Sequence, residues 1–77
     1  MDKRTCYYAN ESYFNRAQQG YEIAKVVEDE AGWTPVFGLH RTLGEAEETV
    51  DQLNADLGLS RDDVLDIVAS SMRAGRV

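Results

Sequence analysis

"LGLSRDDVLDIVASSMR", residues 57–73, holds the hinge from which the rest of the chain can be read. One helix closes at Gly58 and a second opens at Ser60, with only Leu59 between them. Glycine supplies the left-handed conformation that ends a helix, and an apolar residue after it can fold back over the last turn. Ser60 is an N-cap, and Asp62 and Asp63 follow where the positive end of the helix dipole favours acids. Beyond the cap, Val64, Leu65, Ile67, Val68, Ala69, Ser71 and Met72 fall within about 200° of the helix circumference. So wide an arc predicts contact with more than one neighbour. Gly75 can end this helix, which predicts a span of 61–74 and a short basic tail.

Upstream, Thr42-Leu-Gly-Glu45 has the spacing of a capping box. Leu43, Ala46, Val50, Leu53 and Leu57 then recur at three- and four-residue steps, inside an arc of about 80°. This predicts a helix over 43–57 with one narrow apolar seam. The two helices must form a tight hairpin or corner.

The middle of the chain reads as a β-hairpin over 21–40. Tyr21–Val27 is rich in β-branched and aromatic residues, and Trp33, Pro35, Phe37 and Leu39 alternate with Thr34, Val36, Gly38 and His40. Asp29-Glu-Ala-Gly32 supplies the turn, and Pro35 places the second strand at an edge or its start at a bulge. Residues 1–20 form a partly mobile N-terminal segment with two readings. Asn10–Gly20 can be a short capped helix with Tyr13, Phe14 and Ala17 on one face, which is the preferred reading; Thr5–Ala9 can instead add a third strand. The expected fold is α+β: a β-hairpin packed against two C-terminal helices, with a short N-terminal helix or extra strand, and one small domain over 21–77.

At 77 residues the chain has room for a single core, and with one cysteine and one histidine it can build neither an internal disulfide nor a Cys/His zinc site. Extra stability must come from helix packing or from self-association. No apolar run approaches the roughly 18 residues a membrane span needs, and residues 1–14 carry no apolar targeting stretch, so a cytoplasmic protein is expected. Net charge is −6, and the acid is concentrated over 42–66, where Arg61 is the only base.

That distribution bears on the hinge, whose spacing is similar to a helix-turn-helix. Val64 stands six residues after Gly58, as such a motif requires, but Asn54 stands four before it, where a close helix crossing wants alanine. With Val64, Ile67 and Val68 turned inward, a recognition helix would offer Asp62, Asp63, Asp66 and Ser70 to the groove. DNA affinity comes mostly from Lys and Arg on phosphates, so direct nucleic-acid binding is not expected.

Chemistry is equally sparse. His40 has no serine or cysteine in a nucleophile motif to serve. Asp62 and Asp66, four apart, lack calcium-loop spacing, and no glycine-rich phosphate cradle is present. No catalytic residue, metal or cofactor is expected. What remains is surface: Asp62, Asp66, Ser70 and Arg73 form a line on the outer side of the second helix, and Glu45, Glu48 and Asp51 add an acidic face on the first. Tyr7, Tyr8, Tyr13, Phe14, Tyr21, Trp33 and Phe37 give the first half aromatic anchors for a core or an interface.

The blocks Leu53-Asn54, Leu57-Gly58-Leu59-Ser60 and Ile67-Val68-Ala69-Ser70-Ser71-Met72-Arg73, with Gly20-Tyr-Glu-Ile and Trp33 ahead of them, resemble a group of short actinobacterial proteins found in phages, plasmids and integrated elements. The likeness spans residues 20–74 and leaves out the first twenty. It implies a bacterial cytoplasm and a mobile-element setting, and carries no activity. The expected function is a non-catalytic protein–protein interaction module, its partner another protein or a second copy of itself. The alternative is an acidic DNA mimic that inhibits a nucleic-acid-binding or host-defence protein.

Overall fold

Gly20–Val27 is the central strand, β3, because its neighbours on both sides need it. The computed structural model, which describes residues 3–75, pairs it with three other strands, all antiparallel. Strands β1 (Thr5–Tyr8) and β2 (Phe14–Asn15) lie end to end along one side of β3, and β4 (Thr34–His40) lies along the other. Two helices follow, α1 (Leu43–Asp56) and α2 (Arg61–Ala74). The α+β hairpin-and-helices architecture is therefore present, with the third-strand reading of Thr5–Ala9 realised at Thr5–Tyr8.

The preferred helix over Asn10–Gly20 is overturned. Asn10 does act as a cap, its side chain accepting from the Ser12 amide, but it starts a single 3-10 turn at Glu11–Tyr13. Phe14 then turns extended and pairs with Tyr21, and the two rings meet with centroids 5.0 Å apart. Strand pairing with β3, with the two rings in contact, outweighs the weak helical bias of a polar, glutamine-rich stretch.

Strand alternation sends the core to both faces of the sheet. Cys6, Ala24 and Val26 point to one face and pack with Val64, Ile67 and Val68 of α2. Ile23, with Tyr7, Tyr21 and Val36, points to the other and packs with Ala46 and Val50 of α1. The two helices thus sandwich the sheet. That explains why the wide apolar arc of α2 does not find a second neighbour: Leu65 and Met72 stay 57% and 53% exposed. The narrow seam of α1 is buried at Ala46 and Val50, half-buried at Leu43 and Leu53, and exposed at Leu57, where Asn54 takes over the buried position.

The corner between the helices turns around the β1 edge. Gly58 is left-handed at φ 75°, its amide donates to the Ala55 carbonyl, and the Leu59 amide reaches the Asn54 carbonyl at 2.9 Å. That is the double closure expected of a left-handed C-cap. Ser60 and Asp63 then exchange reciprocal bonds of 3.1 and 2.9 Å that open α2. At Thr42 only half of the box forms: the hydroxyl accepts from the Glu45 amide at 3.2 Å.

Each sheet edge is interrupted at one outward-facing position. The Glu28 amide donates to the Arg4 carbonyl, so in the antiparallel ladder the main chain of Thr5 and Tyr7 points outward from β3. Asn54 fills that edge like a short strand, with Oδ1 accepting from the Tyr7 amide at 2.9 Å and Nδ2 donating to its carbonyl at 2.8 Å. On β4 the same alternation turns the nitrogen of Pro35 outward, where no donor is offered. Register then shifts between Glu22 and Ile23, and Phe37 and Gly38 are both left-handed, at φ 60° and 73°. The expected alternation of β4 breaks there. Phe37 swings to the α1 face and rests against Tyr7, ring centroids 5.5 Å apart.

Candidate functional site

The surface line Asp62, Asp66, Ser70 and Arg73 survives in part. Asp62, Asp66 and Arg73 are exposed and, at 100° per residue, fall within about 40° of one another on α2. Ser70 does not join them; it is buried. Its hydroxyl accepts from the Asp29 amide at 3.0 Å and donates to the Ile67 carbonyl at 2.8 Å. Ser71 beside it donates to the Glu30 carbonyl at 2.6 Å. The serine pair is a clamp holding the β3–β4 turn to α2. Ser70→Ala and Ser71→Ala are each expected to lose about 1–2 kcal/mol, because each strands a main-chain group of the turn. Urea unfolding gives the loss, and faster amide exchange at Asp29 locates it for the Ser70 variant.

Arg4 draws a second cluster together. Its guanidinium lies 2.6 Å from Glu28, 2.9 Å from Asp66 and 3.5 Å from Asp63. The hydrogen bond from Arg4 holds the Glu28 carboxyl below the usual range. Asp63 is lowered too, first by the Ser60 amide it accepts from, then by the Ser60 hydroxyl, with Arg4 adding attraction. For carboxyls lowered in the folded state, the stabilisation is present above their unfolded pKa and disappears as pH falls through the folded one. The thermal midpoint should therefore fall as pH drops below about 4, and Arg4→Gln should make that fall shallower. A fall of equal steepness in the variant would show that the cluster contributes nothing.

The acids of α1 are differently placed. Glu45, Glu48 and Asp51 are exposed, and the one ion pair among them in the described residues is Asp51 with Arg61, at 3.8 Å. His40 is half-buried at the end of β4 with Nε2 lacking a hydrogen-bond partner among the described residues. Cys6 is fully buried, and burial pushes its thiol up to about 11, far from a reactive thiolate.

Two recesses flank α2 on the side away from Arg4. A cleft of about 490 Å³ opens at the corner, with Tyr8, Val50, Leu59, Val64 and Leu65 as apolar lining and Glu47, Asp51 and Arg61 among its polar residues. A notch of about 230 Å³ lies toward the end of the helix, between Tyr13, Trp33, Val68 and Met72. An aromatic ladder joins them: Tyr8 meets Tyr13 edge-on at 6.2 Å, and Tyr13 meets Trp33 at 4.4 Å. Trp33 is 40% exposed. The result is an apolar strip along α2, with Leu65 and Met72 on one wall and the ladder on the other. Sequence periodicity placed Leu65 and Met72 inward because it counts apolar positions without knowing that α1 lies across the sheet.

Comparison with protein-family models, with curated proteins and with solved structures found no match to this chain.

Proposed function

We propose that this protein is a non-catalytic protein–protein interaction module that binds through the apolar strip along α2. The observation that carries this reading is the alignment of Leu65, Met72 and Trp33, three large apolar side chains left open to solvent beside two recesses. Scattered apolar residues on a surface need no explanation, but a continuous strip walled by tryptophan and tyrosine is the composition of an interface core. A bacterial cytoplasm and a mobile element are the setting that goes with the sequence resemblance.

A second reading has its own observation. The acids on the outer side of α1 have a single described counter-ion, whereas Asp63 and Asp66 of α2 share Arg4. An acidic face of that kind suits a DNA mimic that blocks a basic nucleic-acid-binding or host-defence protein. Capture from a bacterial lysate separates the two readings. Binding lost in Leu65→Lys, kept at high salt and kept when Glu45, Glu48 and Asp51 are neutralised supports the apolar strip. The reverse pattern supports mimicry.

A further inference from the structure

We infer that the occupant of the α2 strip is a second copy of this chain, docked with its own α2 antiparallel across a two-fold axis. The inference rests on the interaction reading above and names its partner. Along α2, Leu65, Ala69 and Met72 form one ridge, within about 60° of each other, with Leu65 and Met72 about 10 Å apart. Beside that ridge the charges are sorted by position, with Asp62 and Asp66 toward the start and Arg73 at the end.

That sorting is self-complementary. When two copies of α2 cross at Ala69, Leu65 of each lies opposite Met72 of the other. On one flank Arg73 of each copy comes opposite Asp62 and Asp66 of the other, and a two-fold axis makes the pairing twice. On the opposite flank Leu65 of each copy meets the notch between Trp33, Val68 and Met72 of its mate. Ala69 at the crossing is small enough for the helices to approach to about 8 Å. The same surface therefore supplies knob and recess, and acid and base, as an isologous interface requires.

The patch is one helix long, so the dimer belongs to the weak class, with a Kd in the micromolar range. Sedimentation equilibrium of the full chain, taken up to about 1 mM, reads it directly. Wild type is expected to dimerise, and Leu65→Lys to raise Kd by about 10-fold or more. Asp62→Arg and Arg73→Asp, both at exposed positions, should each weaken the dimer, and the double variant, which restores an opposite-charge pairing between positions 62 and 73, should recover part of the loss. Far-ultraviolet circular dichroism confirms that each variant is folded. A wild type that stays monomeric throughout, or a dimer indifferent to Leu65→Lys and to the charge exchange, overturns the inference. If that monomer still loses lysate capture on Leu65→Lys, the self-pairing has failed and the interaction module has not.

Discussion

Ile67→Ala is expected to remove about 2–5 kcal/mol of stability, most of what a chain of this size possesses. Ile67 is fully buried under α2 against Cys6, Ala24 and Val26, so truncation opens a cavity in the larger of the two core layers. The layer cannot collapse to fill it, because β3 is fixed by strands on both sides. Leu65, two residues earlier and similar in size, sits over the strip, and Leu65→Ala should shift stability by no more than about 0.5 kcal/mol. Urea denaturation of the two variants makes the comparison. Equal losses would mean that α2 is rotated so that Ile67 and Leu65 are alike in burial.

The second large effect belongs to Asn54. Its amide serves both main-chain groups of Tyr7, so Asn54→Leu, which keeps the bulk and excludes water, should cost about 2–4 kcal/mol. Asn54→Ala should cost less, since water can enter and satisfy part of the edge. Amide exchange at Tyr7 should rise in both, and the uncovered β1 edge should make the leucine variant prone to aggregation. A leucine variant as stable as wild type would show that the amide does not seal the strand.

These two residues also mark what sequence reading can and cannot reach. Ile67 was legible because helical period, caps and the Gly58 turn all agree locally, and the same agreement placed α1, α2 and the hairpin. Asn54 was visible only as a departure, a polar residue where a close helix crossing wants alanine. Its purpose depends on Tyr7, far away in the chain, and no local pattern encodes that pairing. Ser70 failed for the same reason: a serine on a helix reads as solvent-facing until the β3–β4 turn arrives to bond it. The first twenty residues misled because their aromatics fit a helix face as well as a strand, and the choice was made by Tyr21 on β3. Of the surface line, Asp62, Asp66 and Arg73 were legible; the apolar ridge next to them was not, because it was assigned to the core.

A dilution series followed by NMR tests most directly whether that ridge is the interaction surface. The methyl signals of Leu65, Ala69 and Met72 and the indole signal of Trp33 should move with protein concentration, while those of Ile23 and Ala46, buried under α1, hold still. Movement gathered instead on α1 or along β4, or signals that never change with concentration, would contradict it.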